Sequence, residues 1–290
     1  FNRLPLYNKQ PCDKMMPKIC TAFYTRKMKE EDTVRLLFIR HGDPDYEHDT
    51  LTEKGHREAA LLGKLAPSLN LGQCFVSPLG RARHTAEYCL KSTGKQVQEL
   101  KWLQEFPGTV DINHSPELQE AYPDCRKKGD RYELRIPWDM VPAYYTSHPE
   151  YMDREGWRHS EAARCSDTVS AYDSLAKNLD GLLSEHGYVR RGDHYFVQKE
   201  NQETLTFFCH FGVTCAMLAH LWNVSPFILW HSLALLPTSF TELVTEERQK
   251  GIACFRALHV GDTRHLFLGG EEPSFACRFC EVYSDTEQRH

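Results

Sequence analysis

The stretch LLFIRHGDPDYEHDTLTEKG, residues 36–55, contains the signal that decides the fold. It begins with four apolar residues, breaks at Arg40-His41-Gly42, and passes through an acidic segment before a helical pattern starts. The run VRLLFIR (34–40) is continuously apolar rather than alternating, which is typical of a strand buried on both faces of a parallel sheet. We therefore place Arg40 and His41 at the carboxyl end of a central strand.

Helices and strands alternate after this first strand. Residues 51–69 have a helical pattern with Thr52 as N-cap, and Pro78 and Gly94 mark the start and the end of a second helix. Short strand patterns follow each helix, at residues 74–77 and 96–106. This alternation predicts an α/β fold: three αβα layers, with a mostly parallel central sheet and helices on both faces.

The second half of the chain interrupts this rhythm and then resumes it. Residues 107–157 are dense in Pro, Tyr, Asp and Trp, and we expect an insertion with short helices over one edge of the sheet. Beyond it, the pattern predicts one long helix, a buried strand, a further helix and a late antiparallel strand pair, at residues 161–187, 202–210, 212–223, and 239–247 with 253–261.

These elements fit a single domain over residues 28–290. Residues 1–27 have no clear periodicity, and we interpret them as an N-terminal extension or an artificial addition outside the fold. The C-terminal segment from residue 261 onward stays unassigned: it could cap the site, pack on the core or form a homodimer contact. Arg190 and Arg191 are expected in a solvated turn, and the Tyr and Trp cluster at 138–157 in local packing or in a lid.

Composition excludes some functional classes. With 35 Lys and Arg against 40 Asp and Glu, the formal net charge is −5, which argues against a nucleic-acid partner. No apolar run approaches the roughly 18 to 20 residues that would span a bilayer, so we expect no membrane partner. The eleven cysteines are scattered, and Cys277 and Cys280 form a lone C-x-x-C without a second pair, so we expect ordinary thiols in a cytoplasmic protein.

Two strands that are distant in sequence end in the same way, at His41 and at His210, and each histidine is followed by a glycine and then by a helical segment. In open α/β sheets, ligands bind outside the carboxyl ends of the strands. A third strand end leads into a helix that begins with Arg81 and Arg83. One histidine at a strand end is more often structural, but three agreeing strand ends predict that Arg40, Arg81 and both histidines surround a phosphoryl group.

Four ordered motifs resemble the histidine phosphatase superfamily, with its phosphoglycerate-mutase-like fold: RHG (40–42), LTEKG (51–55), SPLGRARHTAE (77–87) and CHFG (209–212). The resemblance extends over residues 34–106 and 160–260. It implies that His41 attacks phosphorus and carries a phosphohistidine, that Arg40 and Arg81 bind the phosphate, and that His210 stabilises the transferring group.

The resemblance also implies a general acid, and Glu105 stands where one branch of the family has its glutamate. The other branch carries an Asp directly after the second histidine, whereas this chain has Phe211 there. Gly42 is a candidate to orient His41 through its carbonyl group or to supply a tight bend.

The loop after Gly42 departs from the family, because DPDYEHD has Pro44 and Glu47 where the family commonly has Thr and Asn. An extra carboxylate next to a phosphate lowers affinity unless it is neutralised or turned away. Asp43, Asp45 and Glu47 therefore either contact a cationic or hydroxyl part of the substrate or point at solvent. Gly42 and Phe211 complete this set of candidate substrate contacts.

The sequence favours a phosphomonoesterase that hydrolyses a small phosphorylated metabolite and needs neither metal nor cofactor. Three alternatives stay open: a phosphoglycerate mutase, a non-catalytic phosphate-binding regulatory module, and a metal-dependent hydrolase suggested by the fifteen histidines. The last lacks histidine pairs or carboxylate clusters with metal-ligand spacing at the strand ends.

Overall fold

The computed structural model describes residues 33–199 and 201–275. Their strands, in chain order, are β1 (Arg35–Arg40), β2 (Pro44–Asp45), β3 (Thr50–Leu51), β4 (Gln73–Val76), β5 (Val97–Glu99), β6 (Lys127–Lys128), β7 (Arg131–Tyr132), β8 (Tyr188–Arg191), β9 (His194–Val197), β10 (Thr204–Cys209), β11 (Phe240–Gln249) and β12 (Ile252–Asp262). The α-helices are α1 (Glu53–Leu69), α2 (Gly80–Thr93), α3 (Pro116–Ala121), α4 (Pro142–Tyr145), α5 (Glu161–Arg164), α6 (Thr168–Glu185), α7 (Phe211–Trp222), α8 (Pro226–Ser232) and α9 (Arg264–Gly269).

Eight of these strands form one sheet in the order β5-β4-β10-β1-β11-β12-β9-β8. In this spatial order, the four strands from β5 to β1 pair with one another in parallel. The remaining pairs, β1–β11, β11–β12, β12–β9 and β9–β8, are antiparallel. The predicted α/β layering is confirmed, but the sheet is mixed where a mostly parallel one was expected. The reason is that two hairpins, β11–β12 and β8–β9, extend the sheet on one side, and hairpins need no crossover helix.

Strand β1 is buried on both faces, as its continuous apolar run predicts. Leu36 and Phe38 belong to a large core that also contains residues from α6, α7, α8 and the segment between β5 and α6. Leu37 and Ile39 point to the opposite face, into a smaller core with α1 and α2. Since successive side chains of a strand alternate between faces, β1 joins the two cores and forms the middle of three layers.

Several predicted boundaries shift in the structure. The prediction of a single helix over 161–187 is wrong, because this segment forms two helices, α5 and α6. Between them, Ser166 leaves the helical path and forms an antiparallel bridge with Val110. The strand character of 96–106 is confined to β5, which a 3-10 turn over Lys101–Leu103 follows. Arg190 and Arg191 lie in β8 and not in a turn, and the Arg190 guanidinium contacts Asn223 and the Tyr195 ring.

The segment between β5 and α6 contains short helices, 3-10 turns and the β6–β7 ribbon. Its rings at Tyr144, Tyr151 and Trp157 are buried in the large core, so this part of the aromatic cluster packs locally. In the described part of the C-terminal segment, α9 packs against α1. The predictions for residues 1–27, Cys277 and Cys280 lie outside the described residues.

None of the helices in the described ranges has the length and the apolar character that crossing a membrane requires.

The contact between α1 and α2 depends on Gly63, and we expect Gly63→Ala to lower the free energy of unfolding by about 1–3 kcal/mol. A Cβ atom on Gly63 would lie 2.8 Å from the Tyr88 carbonyl oxygen, which belongs to the α2 backbone and cannot swing away. The matched control is Gly181→Ala in α6, where a Cβ would meet no atom within 4 Å. Denaturant unfolding should show this control to be about 0.5–1 kcal/mol more stable than the parent, because alanine is the better helix former. Equal effects of the two substitutions would contradict this account.

Candidate active site

The two strand-end histidines meet at the carboxyl edge of the parallel strands. β1 and β10 are direct neighbours in register, and the His41 backbone N–H continues their ladder by donating to the Cys209 carbonyl over 3.0 Å. The imidazole rings of His41 and His210 lie 5.0 Å apart between centroids. Both side chains are buried, with exposed fractions of 2% and 0%. The structure therefore brings together two histidines that are separated by most of the domain in sequence.

Two arginines lie in the same buried centre. Arg40 is the last residue of β1, and Arg81 is in the first turn of α2. The Arg40 guanidinium donates to the Leu235 carbonyl and lies 5.5 Å above the centroid of the Phe211 ring. Burial lowers the pKa of both histidine rings, and the two nearby arginines lower it further. The centre thus concentrates positive charge, which an anionic ligand would neutralise.

The His41 ring is held in one tautomer. Its Nδ1 lies 2.7 Å from the Gly42 carbonyl oxygen, which can only accept, so Nδ1 carries the proton and Nε2 has the free lone pair. Gly42 is fixed in turn because its N–H donates to Thr85 Oγ1 over 2.9 Å. Burial lowers the pKa of His41 well below its usual value, and Arg40 and Arg81 lower it further. His41 is therefore a neutral imidazole whose Nε2 carries an oriented lone pair, as a histidine nucleophile would need.

Two polar atoms in this centre have no partner among the described residues. His210 Nε2 lies 2.7 Å from Ser77 Oγ, at the end of β4, while His210 Nδ1 is buried without a hydrogen bond. Nε of Arg81 is also buried without a hydrogen bond to any described residue. Buried donors normally find an acceptor, so both atoms are suited to oxygen atoms of a bound phosphoryl group.

Glu105 lies next to this centre, after the 3-10 turn that follows β5. Its Oε1 accepts from the Phe106 N–H over 2.7 Å and from the Val213 N–H, in the first turn of α7, over 3.1 Å. Burial raises the pKa of Glu105, an effect that these N–H groups and the nearby Arg40 and Arg81 oppose. Because Oε1 accepts both bonds, the proton of a neutral Glu105 belongs on Oε2.

The first carboxylate of the acidic loop is occupied by contacts with two hydroxyl groups. Asp43 is buried and accepts from Thr52 Oγ1 over 2.6 Å and from Ser274 Oγ. Behind it, buried Glu58 accepts from the N–H groups of Asp43 and Ser274, and burial raises the pKa of Glu58 to about 7. Asp43 is therefore a structural residue that attaches the C-terminal segment to the nucleophile loop, which corrects its assignment as a substrate contact.

The next acids of the loop are surface residues. Asp45 accepts from the N–H groups of Glu47 and His48 and from the His48 ring, so it organises a turn. Glu47 is exposed to solvent. Of the two options for these carboxylates, the structure favours the one in which they point at solvent.

Phe211 and Gly42, two further candidate substrate contacts, lie against other groups of the protein. Phe211 is 1% exposed, and its ring packs under Arg40 on one side and against Trp138 at 5.8 Å on the other. Gly42 contacts His41 rather than the open site, and a Cβ on it would lie 2.8 Å from the Gly55 carbonyl oxygen. Gly42 therefore contacts the His41 ring and Phe211 contacts the Arg40 guanidinium.

Sequence reasoning missed three residues that contact the centre. Asp49 accepts from Arg81 Nη1 over 2.8 Å, and from the Gly80 N–H over 2.6 Å, so it orients the guanidinium group. Tyr46 places its ring 5.3 Å from the same guanidinium. Ser77 contacts His210, and its place at the end of a predicted strand was the signal that could have revealed it. The contacts of Asp49 and Tyr46 with Arg81 had no signal, because they depend on how the loop folds over α2.

No group of three or more His, Cys, Asp or Glu side chains among the described residues could hold a metal ion.

Comparisons with known proteins agree with this geometry. The model of the histidine phosphatase superfamily (branch 1) matches residues 36–140, a segment that includes Arg40, His41, Arg81 and Glu105. No curated protein sequence matches the chain.

Among solved structures, a phosphoserine phosphatase from Entamoeba histolytica in complex with phosphoserine superposes with a TM-score of 0.51 at 16% identity, over 80% of this chain and 99% of that one. A mycobacterial glucosyl-3-phosphoglycerate phosphatase superposes with a TM-score of 0.50 at 16% identity, over 78% and 97% of the two chains. Likeness at this identity concerns the fold. Residues 36–140 therefore match the model of branch 1 of the histidine phosphatase superfamily, and the fold of the described residues is similar to that of these phosphatase structures.

Proposed function

We propose that this protein is a phosphomonoesterase that hydrolyses its substrate through a phosphohistidine at His41. The observation that carries the proposal is the state of the buried centre. A neutral His41 presents Nε2, and Arg81 Nε is a buried donor without a partner among the described residues. His210 Nδ1 is a second such donor in the tautomer in which the Ser77 hydroxyl donates to His210 Nε2. This combination supplies a nucleophile for phosphorus and donors for its oxygen atoms.

In the first step, His41 Nε2 forms a bond to phosphorus and the bond between phosphorus and the ester oxygen breaks. Arg40, Arg81 and His210 hold the non-bridging oxygens, where charge is spread in the transition state. Glu105 gives its Oε2 proton to the leaving oxygen, so the alcohol departs neutral.

In the second step, water attacks the phosphorus of phospho-His41. Glu105, now a carboxylate, takes a proton from this water, and the bond between phosphorus and Nε2 breaks. Inorganic phosphate leaves, and His41 and Glu105 return to their starting protonation states. The carboxyl group thus acts as acid and then as base, and its raised pKa suits both roles.

His41→Ala should abolish both an acid-labile phosphoenzyme and phosphate release, since no other group can form the intermediate. With 4-nitrophenyl phosphate as the probe, we expect release to fall by at least about 10³-fold. Mass spectrometry of quenched protein should show one added phosphoryl group in the parent and none in the variant. His194→Ala, in the β8–β9 hairpin, is the matched control and should keep both signals.

Phosphate release by the parent without any phosphoenzyme would contradict the proposed intermediate. A parent that isomerises 3-phosphoglycerate and releases no phosphate would be a mutase, and a parent that binds phosphate without turnover would be a regulatory module.

The dependence of kcat/KM on pH should identify Glu105 as the acid. Its raised pKa means that the carboxyl keeps its proton to a higher pH than a free glutamate does, and proton donation is lost as pH rises through that value. The lowered pKa of His41 means that the neutral nucleophile is lost only as pH falls through a value well below 6.5. The parent profile should therefore have an acidic limb from His41 and an alkaline limb from Glu105.

Glu105→Gln should remove the alkaline limb that depends on Glu105 and lower kcat/KM for propyl phosphate by about 10²–10⁴-fold. The loss should be much smaller for 4-nitrophenyl phosphate, because nitrophenolate leaves without a proton. Glu99→Gln, an exposed carboxylate on β5, is the control. Equal losses for the two esters, or an unchanged alkaline limb, would show that another group supplies the proton.

A further inference from the structure

A cavity of about 610 Å³ lies between the segment that precedes α6 and the end of α8. The first side contributes Tyr122, Trp138 and Tyr145, and the second contributes Trp230 and the residues up to Ala234. Its volume is in the range of pockets that enclose a small organic molecule, about 300–1,000 Å³. We call it the aromatic cavity.

The aromatic cavity is next to the groups that process the leaving alcohol. Its wall residue Trp138 lies against Gly212, and a Cβ on Gly212 would be 2.4 Å from the indole and 2.9 Å from Glu105 Oε1. The absent side chain at Gly212 therefore lets the indole and the carboxylate approach each other. On the other side, Leu235 directly follows the lining residue Ala234, and its carbonyl accepts from the Arg40 guanidinium. A general acid must lie beside the leaving oxygen, and Trp138 is the lining residue next to Glu105, so we place the rest of the leaving group in the space bordered by Trp138.

The charge of the lining disfavours a second anionic group. Arg135 is the only Arg or Lys among the lining residues, and its guanidinium is paired with Asp139 over 2.8 Å and lies 5.7 Å from the centroid of the Tyr122 ring. Asp124 adds a second carboxylate to the wall. With one cation against two acids, the lining offers a carboxylate or phosphate on the leaving group no net positive charge.

The histidine of the lining does not change this balance. His231 Nδ1 lies 2.8 Å from the Phe227 carbonyl oxygen, and its ring lies against the Tyr145 ring, tilted by 33° with 4.1 Å between the centroids. Burial lowers the pKa of His231 to about 4, so the ring is neutral near pH 7. The cavity therefore offers flat aromatic surfaces of Trp138, Tyr145 and Trp230 with little positive charge.

We propose that the aromatic cavity binds the leaving group, and that the substrate is the phosphate ester of an uncharged, ring-containing alcohol. This proposal rests on the proposed hydrolysis at His41. Tryptophan and tyrosine faces stack on aromatic rings and on the apolar faces of sugar rings alike, so both kinds of ring share this chemistry. Three-carbon acids such as glycerate or serine would leave most of the cavity empty and bring a carboxylate to an acidic wall.

The test compares kcat/KM for alkyl phosphates whose leaving alcohols have similar acidity. Ring esters, 3-phenylpropyl phosphate and glucose 6-phosphate, are compared with propyl phosphate, 3-phosphoglycerate and phosphoserine. At least one ring ester should exceed propyl phosphate by about 10- to 100-fold, as expected for burying a ring, and the two charged esters should be slower than propyl phosphate. The faster of the two ring esters identifies whether the cavity prefers an apolar or a hydroxylated ring.

Ala234→Phe fills the cavity from its exposed rim and tests its role directly. The ratio of kcat/KM for the preferred ring ester to that for propyl phosphate should fall at least 10-fold. Lys177→Phe, an exposed position on α6, adds the same side chain elsewhere and should leave the ratio unchanged. Thermal unfolding of both variants checks that each is folded.

Two results overturn the substrate assignment. If propyl phosphate is hydrolysed through phospho-His41 as fast as both ring esters, the enzyme is a phosphatase but the aromatic cavity does not select its substrate. If Ala234→Phe keeps the parent ratio, the ring lies elsewhere. A parent that releases phosphate from none of these esters and forms no phosphoenzyme contradicts the proposed hydrolysis itself, and the substrate assignment with it.

Discussion

Burial of β1 on both faces and along both edges is the constraint on which the site depends. Its apolar side chains join two cores, while β10 and β11 take up its backbone hydrogen bonds on either side. A strand held in this way has no freedom to slide, because a shift of one residue would exchange the side chains between the two cores. The place where Arg40 and His41 leave the sheet is therefore fixed by apolar packing.

The same burial sets the chemistry of the centre. Removal from water favours the neutral imidazole at His41 and the neutral carboxyl at Glu105. Two cations that are buried together need an anion to balance their charge. The binding of an anionic ligand therefore also restores the electrostatic balance of the centre. Asp49 supplies part of this balance through its ion pair with Arg81, at the open side of the centre.

The sequence predicts the parts of the site that local pattern controls. Strand ends at His41 and His210 and the helix start at Arg81 could be found because buried strands and helix N-termini have recognisable patterns. The mixed sheet, the break between α5 and α6 and the role of Asp43 could not, because each depends on a partner far along the chain: a hairpin, Val110 and Ser274 respectively. A carboxylate in a loop has the same appearance in sequence whether it faces a ligand or a buried serine.

The strand order also affects how the chain folds during synthesis. β1 is made early, yet both of its neighbours, β10 and β11, are among the last strands of the sheet to be made. Until residue 249 has been made, the most apolar strand lacks partners along one or both edges, and such an edge is a template for pairing with other chains. Long-range parallel pairing is slow to form as well. The nascent chain therefore passes through a period in which β1 needs shielding, and a fragment that ends before β11 would aggregate even though its motif residues 40–105 are all present.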